Sequence, residues 1–138
     1  MPRKDFYHDT VVRALIADGW TITADPLFLS YGGRDAYVDL GAERPIGAEK
    51  EGRRIAVEIK SFFGPSDVHE LQQALGQFEL YLDILAEVDP ERALYLAIPL
   101  HAYQGIFSEP LGQLVLRRHQ MQLLVFDDTQ ERIVQWIP

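Results

Sequence analysis

The sequence contains no cysteine, has few basic residues and lacks any long apolar run. The absence of cysteine excludes disulfides, thiolate zinc sites, iron–sulfur ligation and a cysteine nucleophile, so any metal must bind carboxylates, carbonyls or imidazoles. No window approaches the roughly 18 consecutive apolar residues of a membrane helix, which excludes a membrane span. Residues Met1–Asp5 lead straight into an amphipathic pattern without the apolar core of a signal peptide. We therefore expect an intracellular, cytoplasmic protein.

Acidic residues outnumber basic ones by 21 to 13, which gives a net charge of −8 over 138 residues. Non-specific binding to nucleic acid depends mainly on Lys and Arg that neutralise phosphates, so this charge argues against it without excluding a small basic face. The length and the 47% hydrophobic content predict one soluble globular domain spanning residues 1–138. No internal repeat or linker divides that domain.

The first part of the sequence predicts a helix followed by a group of strands. Apolar residues at helical spacing predict a helix over residues 5–18, with a glycine after it where a C-terminal cap belongs. Its apolar stripe comprises Phe6, Val11, Ala14 and Leu15. Runs typical of strands then occur at residues 20–23, 27–29 and 36–40. After an irregular stretch, Gly41–Gly47, residues 48–60 predict a hairpin with its turn at Glu51-Gly52.

The rest of the sequence alternates helices and strands. Residues 64–67 interrupt the strand and offer N-cap side chains, and apolar residues at helical spacing then predict the longest helix, to about Glu87. The continuous apolar run 93–98 predicts a strand that is covered on both faces. A helix near residues 102–118 and a closing hairpin of residues 122–126 and 133–137 complete the order αβββαβ, then αββ. We interpret this order as an α/β (α+β) fold with a mixed central sheet flanked by helices.

Two carboxylates and a lysine stand where chemistry would be expected. Asp39 ends one middle strand, and Glu58-Ile59-Lys60 ends a following strand just before a loop. Because side chains alternate along a strand, Glu58 and Lys60 point to the same side. Two carboxylates at adjacent strand ends would bind Mg²⁺ together with a substrate phosphate and water. Lys60 would then position or help to deprotonate a water that attacks a phosphodiester.

An acid and a lysine at this spacing are also typical of the solvent face of an antiparallel strand. The tripeptide alone therefore favours the surface interpretation. Its context favours chemistry, since an acid precedes it on another strand and a long helix follows it. On that helix Gln77 and Tyr81 lie one turn apart on the same side.

These residues resemble the PD-(D/E)XK nuclease superfamily, which has the restriction-endonuclease-like fold, in its variant with a Q-x-x-x-Y helix motif. That resemblance rests on the αβββαβ order with Asp39, Glu58-Ile59-Lys60, Gln77 and Tyr81, over about the first two-thirds of the chain. A more specific likeness, to the XisH family, runs nearly from end to end. It is carried by Trp20–Phe28, Val38–Glu43, Ile55–Phe62, Ala74–Phe78 and Ile133–Ile137.

XisH-like proteins are described as controlling factors for excision of the fdxN DNA element in filamentous cyanobacteria. The resemblance implies DNA, a site-specific recombinase and an XisI-family protein as partners, and Mg²⁺ or Mn²⁺ as cofactor. It also implies Asp39 and Glu58 as metal ligands and Lys60 as the catalytic lysine. Gln77 and Tyr81 would orient the site or contact DNA.

Asp9, in the first helix, resembles an acidic residue that some members of the superfamily, such as archaeal Holliday-junction resolvases, add to the site. The sequence departs from the superfamily motif at its first letter, because Val38 stands before Asp39 where the motif has proline. The stretch between Asp39 and the strand of Glu58 is also longer than a simple hairpin. Glu43 and Glu49 therefore remain alternative ligands.

The basic clusters and the histidines carry weaker signals. Arg53-Arg54 and Arg117-Arg118-His119 could grip phosphates, but the net charge favours ordinary solvated charge. The four histidines show no spacing typical of a zinc helix. His8 is the one to watch, because the first helix is expected to border the site.

Two functions follow from these features. The first is a Mg²⁺-dependent deoxyribonuclease, for which a homodimer would suit the cutting of both strands of a duplex. The second is a catalytically silent accessory module that recruits the XisI-type protein or the recombinase, since an acidic surface suits a protein partner better than DNA.

Overall fold

The computed structural model describes residues 4–44 and 52–138. Its elements are α1 (His8–Ala17), β1 (Thr21–Ala24), β2 (Leu27–Tyr31), β3 (Arg34–Val38), β4 (Leu40–Arg44), β5 (Arg53–Ile59), α2 (Asp67–Val88), β6 (Ala93–Pro99), α3 (Leu100–Gln104), a 3-10 helix (Ile106–Ser108), α4 (Pro110–His119), β7 (Leu123–Asp127) and β8 (Arg132–Ile137). A six-stranded sheet has the order β1-β4-β5-β6-β7-β8, and β2 and β3 form a separate two-stranded sheet. The β5–β6 and β6–β7 pairs are parallel and the others antiparallel, so the predicted mixed sheet is confirmed.

The first helix is confirmed, but its predicted apolar stripe is partly wrong. The inner face of α1 buries Val11, Ala14 and Leu15 completely. Phe6 precedes the helix, and 77% of it is exposed to solvent. The stripe therefore starts inside the helix and not at residue 6.

The predicted strand over residues 36–40 is divided between the two sheets. β3 ends at Val38 and pairs only with β2, whereas β4 begins at Leu40 and pairs with β1 and β5. The β2–β3 hairpin is thus inserted between β1 and β4, and it packs on α2 through Leu29 and Val38. Sequence alternation continues across the break at Asp39, so the pattern alone gives no sign of it.

The hairpin predicted at residues 48–60 is confirmed for its second strand only. The partner of β5 is β4, in register Leu40↔Val57 to Arg44↔Arg53, and β4 occupies part of the stretch predicted to be irregular. The predicted first strand, residues 48–50, and Glu51 of the predicted turn lie outside the described residues.

The central crossover follows the sequence prediction closely. The Ser66 hydroxyl accepts a hydrogen bond from the backbone N–H of His69 at 3.2 Å and caps α2. β6 is buried along almost its whole length, as predicted for a strand covered on both faces. α1 covers one face of the sheet over Val57, Tyr95 and Phe126, and α2 covers the other over Ala56 and Leu96.

The helix predicted near residues 102–118 consists of three short pieces. Pro110 starts a new helix, α4, because its ring fixes a helical φ and the first turn needs no N–H from it. Glu109 before it is extended, as residues before proline tend to be. The closing β7–β8 hairpin is confirmed, and the Asp127 carboxylate accepts the N–H groups of Thr129 and Gln130 in its turn.

The two edge strands of the large sheet are both irregular. β1 has only four residues, with a register shift between Ile22 and Ala24. The pairing of β8 shifts between Val125 and Phe126 of its neighbour β7. Within residues 4–44 and 52–138, the helices are all too short or too polar to cross a bilayer.

Candidate functional site

The antiparallel β4–β5 pair brings Asp39 and Glu58 together. Asp39 was expected to end a strand, but it stands immediately before β4. The start of β4 lies beside the end of β5, so the two acids still meet. The Asp39 N–H donates to Glu58 Oε1 at 3.2 Å, and the Ile59 N–H donates to Asp39 Oδ2 at 2.8 Å. We call this pair of side chains the carboxyl pair.

The carboxyl pair is buried, and burial dominates its electrostatics. Glu58 is only 6% exposed, so it does not lie on a solvent face, because β5 is covered on both sides. Burial, and next the charge of Asp39, raise the pKa of Glu58 to about 9. Burial also raises the pKa of Asp39, although the hydrogen bond from Ile59 and a charge on His8 oppose that rise. At neutral pH Glu58 therefore holds a proton that a bound cation would displace.

Lys60 follows β5 directly, and the first turns of α2 hold its side chain. Its ammonium donates to Gln73 Oε1 at 2.8 Å and lies 3.5 Å from Glu70 Oε2. Its backbone N–H donates to the carbonyl of Ala97 at 3.0 Å, which fixes the chain at the end of the strand. The charge of Lys60 lowers the pKa of Glu58 slightly, which places the ammonium within electrostatic reach of the pair. No sequence motif marks Gln73 or Glu70 as partners of this lysine.

Tyr81, on α2, lies within electrostatic reach of the carboxyl pair, and Gln77 lies one turn before it on the same helix. Burial, followed by the charges of Glu58 and Asp39, raises the pKa of Tyr81 to about 12, so the hydroxyl remains protonated. Gln77, one turn earlier, has its side-chain Oε1 buried, and this atom accepts no hydrogen bond from the described residues. A buried carbonyl oxygen without a donor costs folding free energy.

The start of α1 borders the site through residues that the sequence did not mark as ligands. His8 is 4% exposed, and its Nε2 lies 2.7 Å from Asp25 Oδ1. Its Nδ1 is buried and has no hydrogen-bond partner in residues 4–44 or 52–138. Asp5 accepts the N–H of Ser61 at 3.1 Å, and its charge raises the pKa of Asp39. The expectation that the first helix borders the site agrees with this placement, whereas Asp5 and Asp25 carried no signal.

The other predicted acids lie elsewhere. Asp9 is exposed in the first turn of α1, where its charge acts on Arg13. Glu43 is exposed and stands opposite Arg54 in the β4–β5 register, at the far end of the strand pair from Glu58. Glu49 lies outside the described residues. Among the acids predicted to act with Glu58, Asp39 is therefore the only one that contacts it in the described part of the chain.

The predicted DNA-contacting arginines lie at the opposite end of β5. Arg54 stands four residues before Glu58, or roughly 13 Å along a strand. Its guanidinium donates to both carboxylate oxygens of Asp89, at 2.6 and 2.8 Å. Arg53 donates to the hydroxyl of Tyr95 and lies over its ring. The second basic cluster is in the last turn of α4, where His119 Nδ1 lies 3.2 Å from Glu79 Oε1.

The donor set fits a hard divalent cation that is held partly by substrate. Among the described residues, no group of three His, Asp or Glu side chains is arranged to hold a metal. Asp39 and Glu58 supply two carboxyls, and Mg²⁺ is commonly bound by one or two carboxylates together with phosphate and water. Burial opposes ionisation of both carboxyls, and a bound cation would favour their charged forms.

Comparison with known proteins gives consistent results. Residues 1–134 match the family described as "XisH protein". The crystal structure of an XisH family protein from Nostoc punctiforme PCC 73102 is similar, with a TM-score of 0.89 and 42% identity, over 97% of this chain and 100% of that one. That of an fdxN element excision controlling factor protein from Anabaena variabilis has a TM-score of 0.87 and 41% identity, over 98% and 100%. No curated protein matches the chain.

Proposed function

The chain belongs to the XisH family, and from this premise we propose that it is a Mg²⁺-dependent, endonuclease-like factor in the excision of an fdxN-type DNA element. We further propose that its fold is restriction-endonuclease-like. The order α1, β1, β4, β5, α2, β6 supports this, since it is αβββαβ once the β2–β3 hairpin is treated as an insertion. The relative from Anabaena variabilis, which is described as an excision controlling factor, supports the process.

The carboxyl pair is the single observation that carries the proposal. A buried glutamic acid whose pKa is raised to about 9 beside a second buried acid is expensive to maintain in a fold. Perturbed groups of this kind cluster at functional sites. Asp39 and Glu58 would hold Mg²⁺ or Mn²⁺, which when bound would polarise a phosphoryl oxygen and stabilise its developing charge.

The remaining side chains would act on the phosphodiester and its attacking water. Lys60, oriented by Gln73 and Glu70, would position the water and stabilise negative charge on the phosphate. Tyr81, whose hydroxyl stays protonated, would donate a hydrogen bond to the phosphodiester or to the attacking water. Gln77, whose buried Oε1 accepts no hydrogen bond from the described residues, would orient the site from within the fold. Hydrolysis then forms one P–O bond to the water oxygen and breaks the P–O bond to the leaving sugar.

Metal-dependent nicking tests this proposal. Plasmid and branched DNA are incubated with wild type, Asp39→Asn and Glu58→Gln in Mg²⁺ or Mn²⁺, and metal binding is measured by calorimetry. Glu91→Gln is the matched control, since Glu91 has a side chain that is 79% exposed at the far end of β5. We expect nicking to fall by about 10²–10³-fold in both site variants, as when one group that stabilises the transition state is removed. Absence of nicking by wild type on every substrate would contradict the proposal.

A second candidate is an accessory module that recruits an XisI-type partner or a site-specific recombinase. The net charge of −8, together with the pairing of Arg54 to Asp89, favours a protein partner over a DNA duplex. Lys60→Ala distinguishes the two functions. An enzyme would lose nicking and excision, whereas a recruiting module would keep both excision and binding of the XisI-type protein.

A further inference from the structure

Three aromatic rings lie in contact at the surface beside the carboxyl pair. The ring of Phe63 is 5.3 Å from that of Phe6 and 5.5 Å from that of His101, and it stacks on the imidazole at an angle of 13°. Phe6 is 77% exposed and Phe63 is 56% exposed. We call Phe6, Phe63 and His101 the aromatic strip. Tyr7 supports it from beneath, with its ring 5.0 Å from Phe6 and 5.2 Å from Phe63.

The aromatic strip lies at the border of the candidate site. Phe63 comes three residues after Lys60, and Phe6 follows Asp5 directly. Asp5 links the two segments, because its carboxylate accepts the N–H of Ser61 at 3.1 Å and its charge acts on Asp39. A nucleic acid strand with a phosphate at the carboxyl pair would therefore pass next to these rings.

The backbone is strained where it turns Phe63 outward. Phe62 has a φ of 59°, a left-handed conformation that is costly for a bulky side chain. This conformation accompanies a buried Phe62, packed edge-on against Phe107 at 5.4 Å, and a solvent-exposed Phe63. The core needs only the first phenylalanine, so the exposure of the second is not explained by packing.

The size and chemistry of the strip decide what it can bind. Three side chains are far fewer than the roughly 20–30 residues that each partner contributes to a stable protein interface. A chain with a net charge of −8 cannot rely on neutralising phosphates, but stacking of a base on an aromatic ring does not require basic residues. A single unpaired base is similar in size to the exposed rings of Phe6 and Phe63.

We propose that the aromatic strip stacks an unpaired base of DNA next to the phosphate at the carboxyl pair. The inference rests on the proposed function and narrows its substrate to single-stranded or branched DNA. Tyr7 fixes the rings before binding, so stacking costs little ordering of the protein.

The test measures binding without catalysis. A short single-stranded DNA carrying the fluorescent base 2-aminopurine is titrated with the full chain in EDTA and again in Ca²⁺, beside the matching duplex. Phe63→Ala is compared with Phe28→Ala, a control in β2 that is 52% exposed and outside the strip. Circular dichroism establishes that both variants fold. We expect quenching of the single strand, about tenfold weaker binding for Phe63→Ala, and little change for Phe28→Ala.

Several results would overturn this inference. They are the absence of quenching in both conditions, equal binding of single strand and duplex, or equal loss in the two variants. The inference also fails if Phe63→Ala leaves DNA binding intact, including the case in which it weakens only a contact with a protein partner. Failure of the proposed function is separate, because it shows as absent nicking. Base binding without nicking would support base stacking by the aromatic strip and contradict the proposed nuclease activity.

Discussion

The two ends of β5 both carry charged side chains, but the pKa values of the acids there are shifted in opposite directions. At the start of the strand, Arg54 forms two hydrogen bonds with Asp89, and this pairing lowers the pKa of Asp89. At the end of the strand, Asp39 lies against Glu58, and burial with a like charge raises the pKa of Glu58 to about 9. At one end an acid is paired with a base, and at the other two buried acids lie side by side.

This difference separates charge used for structure from charge kept for function. A carboxylate with a lowered pKa contributes stability that is present above its unfolded pKa and is lost as the pH falls. An acid with a raised pKa contributes stability that is complete below its unfolded pKa and is lost as the pH rises. Titrating the two ends should therefore change the free energy of unfolding in opposite directions.

The largest effect is expected from Glu58→Gln. The folded state holds the Glu58 proton up to a pKa of about 9, so the free energy of unfolding of wild type should fall as the pH rises from about 4.5 to 9, by up to about 1.4 kcal/mol per pH unit. Glutamine removes that slope, so the variant should be more stable than wild type at alkaline pH. Urea denaturation across this range measures the difference. Glu91→Gln should keep the wild-type slope, and identical slopes for all three proteins would contradict the raised pKa.

The next effect is a rise in thermal stability with Mg²⁺. A ligand that binds only the folded state stabilises it by about 2.7 kcal/mol at roughly 100 times its Kd. Wild type and Glu91→Gln should show this rise in melting temperature, and Asp39→Asn should not. Differential scanning calorimetry with increasing Mg²⁺ or Mn²⁺ measures it. A wild-type melting temperature that neither metal changes would contradict metal binding by the carboxyl pair.

A smaller change is expected from Gln77→Met. The buried Oε1 of Gln77 accepts no hydrogen bond from the described residues, so an apolar side chain of similar length should stabilise the fold by about 1 kcal/mol. The same change should slow nicking, because the amide that would orient the site is gone. Chemical denaturation and the nicking assay, run on one preparation, measure both. Loss of stability would mean that Gln77 supports the fold.

The smallest effect should come from Arg54→Ala at the other end of the strand. The Arg54–Asp89 pair is partly exposed and therefore screened, so its loss should cost less than about 1 kcal/mol. Because Asp89 then loses the largest of the interactions that lower its pKa and keeps only that with Arg92, stability below about pH 4 should approach that of wild type. Denaturation at acidic and neutral pH checks this. Nicking should be unchanged, and a marked loss would make Arg54 a DNA contact after all.

Local signals predicted the elements that depend on local physics. The helical spacing and the Ser66 cap predicted α2, and the unbroken apolar run predicted β6. Pro110 marks the start of α4 in the sequence as well, although one longer helix was predicted there. The break at Asp39 has no local sign, because strands of two different sheets follow one another with continuous alternation.

Part of the candidate site could likewise be predicted from the sequence, and part depends on contacts that only the fold makes. The Glu58-Ile59-Lys60 tripeptide and the one-turn spacing of Gln77 and Tyr81 are visible in sequence. The contacts of Asp5 with Ser61 and of His8 with Asp25 join segments that only the folded chain brings together. Residue types alone do not identify such pairs, since each of these acids is ordinary in its own local sequence.

The irregular edge strands of the large sheet have a consequence for behaviour at high concentration. An exposed, regular edge is a template on which another chain can add a strand, and this is a common route to fibrils and insoluble aggregates. A four-residue β1 with a register shift and a β8 with a shifted pairing both interrupt that template. Concentrated or heated solutions of this protein should therefore resist ordered β-aggregation until the sheet itself begins to open.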